Sequence, residues 1–245
     1  MIRGLTIPWA IVLTLTLLPT GAAAQELSIS LGDEGSISAR TIQLFALITV
    51  LSLAPGLAIM ITCFPFLVTV LSILRQAIGL QQSPPNMLIV SLALFLTYFI
   101  MEPVFTEAWE SGIEPLTSEE IDAQTAFDRT LLPFRNFMSE RLDPDTFTEM
   151  AELRPQTAGE ELSADAPLSL LVPSFLLSEI SRGFQIGFLI FLPFLIIDLV
   201  VAAILMSMGM MMVPPAVVAL PFKLAFFVVA DGWSLIAGSL VRSYF

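Results

Sequence analysis

Apolar and polar positions alternate in long blocks along the chain rather than residue by residue. Residues 5–18 form an uncharged, mainly apolar run behind Arg3, broken by Pro19-Thr20-Gly21 and followed by Ala22-Ala23-Ala24. A basic start, a short apolar run and small residues predict a secretory signal peptide over residues 1–24, cleaved after Ala24. The alternative is an uncleaved first membrane helix, for which this run is short, since about 20 residues are needed to cross the hydrocarbon core. A short N-terminal segment, 25–40, follows. Residues 41–74 then hold 34 positions without one charged side chain. That is too long for one ordinary span and too short for two with a connection, and Pro55-Gly56 and Pro65 interrupt it, so the pattern predicts a broken helix or helical hairpin. Arg75 closes the run, Gln81 to Asn86 reads as a polar turn, and residues 87–101 are apolar again, completing a first hairpin over 41–101.

Residues 102–168 change character. They carry sixteen acidic side chains against four arginines, an excess equal to the whole chain's net charge of −12. Within them Phe127, Leu131, Phe134 and Met138 recur at helical spacing, which predicts a soluble helical insert with a packing face. After Pro167 apolar sequence returns over 169–245, punctuated by Asp198, Lys223 and Asp231. Pro193, Pro214, Pro215 and Pro221 are expected to cut this region into short helices joined by a methionine-rich turn. The fold class predicted is all-α: broken helical hairpins of an integral-membrane type with an acidic helical insert. With an exported N-terminus, Arg75 and its turn face the cytoplasm and the insert is extracytoplasmic.

Composition narrows the chemistry. The chain is 56% hydrophobic and 13% charged, against about 25% charged in ordinary soluble domains. With no histidine and a single cysteine, Cys63, a Ser-His-Asp triad, a His-ligated metal, a haem ligand and an intrachain disulfide are all excluded, and neither an enzyme nor a cofactor is expected. The acidic face would repel phosphates, so nucleic acid is excluded as a partner. Asp198, Lys223 and Asp231 lie deep in apolar sequence, where charge is costly unless paired. They are either structural clasps, with Lys223 neutralising one aspartate, or an ion or proton relay. The contexts IIDLV and VADGW lack the flanking glycine expected of an intramembrane aspartyl protease.

Gly183 and Gly187 in GFQIG have the spacing that permits close helix approach. Glu179 and Arg182 are i, i+3 neighbours that can pair with each other or with an adjacent subunit. Met206, Met208, Met210, Met211 and Met212 crowd seven positions before Pro214-Pro215. Methionine is flexible and polarizable and re-packs against different partners. Gly209 and the proline pair argue for a loop rather than a core stripe, and copies arranged in a ring would make that loop a pliable apolar gasket.

Two stretches resemble the FliP family of bacterial flagellar export-gate proteins, whose relatives serve virulence secretion. Residues 173–233 carry FQIG, PFLIIDLV, GMMMVPP and LPFK, and residues 54–105 are similar to the family's N-terminal half. The resemblance implies a core subunit of the flagellar type III protein-export gate in the cell inner membrane, at the basal body. It implies a homo-oligomer of about five copies in a helical ring, with FliR-type and FliQ-type gate subunits and FlhA-type and FlhB-type export proteins as partners. Membrane lipid is a further partner, although the assembly is largely lifted above it, and unfolded flagellar subunits pass through the centre. By position, Met210, Met211 and Met212 match the loop closing the pore, with Met206 and Met208 supporting it. Phe137 and Glu179 match contacts between subunits, a role expected also of Arg182, Gly183 and Gly187. Two departures stand out: Phe64-Pro65-Phe66 replaces a hydroxyl residue followed by arginine, and Ser181 replaces a lysine. The competing function is an ion or proton transporter using Asp198, Lys223 and Asp231.

Overall fold

The computed structural model describes residues 34–79 and 85–245. The predicted signal peptide and most of the polar turn before Asn86 lie outside them. Backbone contacts divide the chain into two units, 1–50 and 51–245. In the first, the described residues 34–50 are helical, and Ile42, Phe45 and Ile48 are exposed.

All regular structure among the described residues is helical. Helix α1 is Glu34–Met60. Pro55 does not break it, and the break falls instead at residues 61–63. Helix α2, Phe64–Ile78, begins there with Pro65 in its first turn, where a missing N–H costs no hydrogen bond. Its end is set by Gly79, left-handed at φ 88°, whose N–H donates to the Gln76 carbonyl at 3.0 Å. Phe66, Leu67, Val70, Leu71, Leu74 and Ala77 are all fully buried. Their spacing gathers them on one broad face of α2, about 140° wide, by which this helix packs on the apolar helices around it.

Helix α3, Asn86–Ala108, continues past the apolar boundary at Met101 into the acidic insert, and ends in a single π turn, Trp109–Ile113, ahead of the one-turn α4, Glu114–Thr117. Gly112 sits where the chain crosses the next helix: a Cβ there would stand 2.8 Å from the Ala126 carbonyl oxygen. Helix α5 is Ala123–Arg141 and α6 is Pro144–Glu152. Asp143 caps α6, accepting from the Thr146 N–H at 3.0 Å and the Thr146 hydroxyl at 2.7 Å. The predicted packing face of α5 is displaced: Met138 is buried and Phe134 packs on the core, but Phe127 is exposed, and Ala126 and Pro133 take buried positions. Met138, Phe147, Ala151, Leu171 and Phe175 form a separate core that fastens the insert to the start of α7.

Helix α7, Leu168–Ser207, is continuous over 40 residues despite Pro173 and Pro193, which corrects the expectation of short helices. Each proline removes one backbone donor, and packing along α2 outweighs those two losses. Helix α8 is Pro215–Val229, and α9, Gly232–Arg242, is bent from it by 61°. Among the described residues, Thr41–Met60, Asn86–Thr117 and Leu168–Ser207 are long and apolar enough to cross a membrane, and the bent α8–α9 pair is a candidate fourth span.

Candidate functional site: the methionine loop and the charges beneath it

The C-terminus of α7 closes in a Schellman motif. Met210 N–H donates to the Leu205 carbonyl at 3.0 Å and Gly209 N–H to the Met206 carbonyl at 3.1 Å. Gly209 has the left-handed φ of 76° that the motif requires. Pro214 and Pro215 then start α8 with φ already near the helical value. The glycine and the proline pair therefore fold the five methionines into a tight reversal. Met206 and Met208 are exposed at its base and Met210 is exposed to a lesser degree, while Met211 and Met212 ride the tip at 85% and 99% exposure. Val201, Leu205 and Ala219 form a small core directly beneath.

Farther down the same helix pair, Lys223 Nζ lies 2.6 Å from Asp198 Oδ2 and 3.0 Å from the Ala77 carbonyl oxygen. The lysine side chain is 6% exposed and the aspartate 31%. One ammonium thereby ties α7, α8 and the last turn of α2. Asp231 does not join them. It stands exposed at the α8–α9 bend with φ 48°, so its expected place among buried charges is corrected: the bend lifts it away from the bundle.

The residues expected at subunit contacts are mostly spent inside the chain. Gly183 and Gly187 let α7 lie against α2; a Cβ at Gly183 would stand 3.2 Å from Thr69 Cβ, and one at Gly187 3.1 Å from Ile73 Cβ and closer still to Ile73 Cδ1. Glu179 is fully buried and pairs not with Arg182 but with Arg141, at 3.5 Å, and accepts from the Tyr244 hydroxyl at 2.5 Å. Phe137 stacks on Tyr244 and meets Phe175 edge-on, with centroids 6.1 and 5.8 Å apart. The Arg141 guanidinium lies over the Tyr244 ring, 3.9 Å from its centroid, and donates to the Ser243 carbonyl. Burial and then the Glu179 carboxylate raise the Tyr244 hydroxyl above its ordinary value, so it remains a donor. Arg141 and Tyr244 carried no signal in sequence, because nothing local marks residues 38 and 65 positions from Glu179 as its partners. Arg182 alone of the five is exposed.

Long exposed apolar helices, an apolar loop at the end of a helix pair and a neutralised ion clasp define a membrane-embedded structural component. Comparison with known proteins makes this specific. The model of the FliP family matches residues 47–240. The flagellar biosynthetic protein FliP of Caulobacter vibrioides is 48% identical over 233 residues, covering 93% of this chain and 86% of that protein. Its namesake in Agrobacterium fabrum is 48% identical, covering 93% and 94%, and that of Bacillus subtilis 44%, covering 88% and 96%. The chain belongs to the FliP family, whose members are structural proteins of the flagellar export apparatus and not enzymes.

Proposed function

We propose that this chain is a pore-forming subunit of the flagellar type III protein-export gate, and that its methionine loop is the seal of the pore. The observation that carries this reading is the loop itself: in a chain of the FliP family, Met211 and Met212 are presented almost wholly uncovered at the tip of a reversal whose backbone is rigidly capped. Exposed flexible thioether side chains on a fixed backbone suit a seal that closes on itself and yields to passing chains of varied shape. In a ring of about five copies, completed by FliR-type and FliQ-type subunits and served by FlhA-type and FlhB-type proteins, Met210, Met211 and Met212 meet their counterparts across the channel. Met206 and Met208 support them, and unfolded flagellar subunits pass between. The ring sits at the bacterial inner membrane with residues 102–168 on the extracytoplasmic side, after removal of residues 1–24.

Deleting Met210 to Met212 is expected to let ions and small molecules leak through a membrane containing the whole complex, whereas replacing them by leucine has a milder effect because volume is kept. Unchanged permeability, with the complex shown to be present, would overturn the seal. The ion-relay alternative loses its footing, because Lys223 neutralises Asp198 and Asp231 stands apart from both.

A further inference from the structure

Helix α3 has two opposite faces. Ile89, Ala93, Leu96 and Ile100 are buried in the core. Phe95, Tyr98, Glu102, Phe105 and Trp109 recur every three or four residues on the other side, and all are exposed. That repeat is the seam of a helix suited to meet another helix. In its middle stands a carboxylate, the first acidic residue beyond the apolar run 87–101, with Tyr98 and Phe105 on either side of it along the seam; burying such a charge in a helix contact is costly unless a cation covers it. Glu102 makes no ion pair among the described residues.

Helix α7 carries the complementary pattern. Arg182, Gln185, Leu189, Ile196 and Leu199 follow the same three-and-four repeat and are exposed, with the half-buried Leu192 between them. Here the one charge is a cation. Glu179, its expected partner, is occupied by Arg141 and Tyr244, and Arg182 is in no ion pair among the described residues. Helix α5 touches both helices: Phe134 packs on Phe105 at 5.9 Å and Phe137 on Phe175 at 5.8 Å, from adjacent turns of one helix. Leading away from the insert, Glu102 lies about 4.5 Å along α3 from Phe105 and Arg182 about 10 Å along α7 from Phe175, so each charge stands within about two turns of the point where α5 packs on its helix.

We infer that the α3 seam of one copy docks on the α7 seam of a second copy, and that Glu102 pairs with Arg182 across that boundary. The contact is heterologous, so it propagates around a ring rather than closing a two-fold dimer; it rests on the oligomeric reading above. An acid facing a base also sets the register of two otherwise apolar surfaces, and Asp143, which lines one cleft with Arg182 in the same chain, is engaged by Thr146.

The test uses the whole complex in membranes, in a Cys63→Ala background, with Glu102→Cys and Arg182→Cys combined. A short bis-maleimide is the reagent, since an ion-paired couple holds its Cα atoms beyond the roughly 7 Å reach of a disulfide. The expected result is a ladder of linked copies from the double variant and none from either single variant. Glu102→Arg or Arg182→Glu alone should lower the recovered ring about tenfold, and the two reversals together should restore it. An intact ring that yields no ladder, or in which Glu102→Cys reacts freely with a water-soluble maleimide, would overturn the contact and leave the ring standing. Failure of the unsubstituted chain to form any ring would overturn the oligomeric reading and this contact with it.

Discussion

Removing either partner of the Asp198–Lys223 clasp is expected to destabilise the fold, and unequally. Lys223→Met deletes the ammonium and leaves two acceptors without it, the Asp198 carboxylate and the Ala77 carbonyl. The aspartate side chain is 31% exposed and can turn out of the helix interface, so the cost falls to about 2 kcal/mol, below the 3–5 kcal/mol typical of breaking a fully buried pair. Asp198→Leu leaves the ammonium behind. With 6% of its side chain exposed, Lys223 has no such escape, and the cost is about 3–5 kcal/mol. The combined variant replaces the pair by two apolar residues of similar bulk in apolar surroundings, and is expected within about 1 kcal/mol of the parent. A double-mutant cycle, from denaturant titrations of the purified protein in detergent followed by helical circular dichroism, measures all three. Strict additivity, with the double variant as unstable as the sum of the singles, would refute the clasp. Equal costs for the two singles would refute the assignment of unequal burial.

Other parts of the molecule give further expectations. Gly187→Ala should lower the melting temperature more than Gly183→Ala, because its Cβ would collide with the branched Ile73 side chain, whereas that at Gly183 is merely tight against Thr69; the reverse order would show that α7 and α2 are not held at these glycines. Tyr244→Phe keeps the ring on Phe137 but strips the donor from a buried carboxylate oxygen, at a cost of about 1–3 kcal/mol; no change in the denaturation midpoint would mean that the C-terminus does not fasten Glu179. Hydrogen bonds from Thr146 hold the Asp143 carboxyl below its ordinary range. A depressed carboxyl pKa contributes stability that is complete above the unfolded value of about 3.9 and is lost as pH falls through the lower folded value. The parent should therefore lose stability over that acid range more steeply than Asp143→Asn, and identical acid profiles would refute the cap.

Much of the architecture was legible because it follows from local rules. The acidic composition of residues 102–168 marks the insert, and Gly209 with Pro214-Pro215 marks the reversal, since a left-handed residue and a pre-set φ allow little else. Prolines misled elsewhere. Pro173 and Pro193 each cost a single backbone bond that the packing of α7 outweighs, and Pro55 stays within α1 although the side chains around it are exposed; no rule of local sequence tells such a proline from one that ends a helix. Helical spacing of Phe127 with Phe134 and Met138 suggested one packing face, but the face that packs is rotated toward Ala126 and Pro133, since Gly112 lies against the first turns of α5 at Ala126 and Thr130 and leaves Phe127 outside.

By itself, the sequence determined the helical class, the apolar segments, the acidic insert and the methionine reversal, all of which depend on composition or on neighbours within a few positions. Tertiary structure decided which charges meet. It joined Lys223 to Asp198 rather than Asp231, gave Glu179 to Arg141 and Tyr244 rather than Arg182, and turned the Gly183 and Gly187 pair inward against α2. Those choices depend on where helices far apart in the chain come to lie, and the energy of a buried pair is set by distance and burial, not by separation along the sequence.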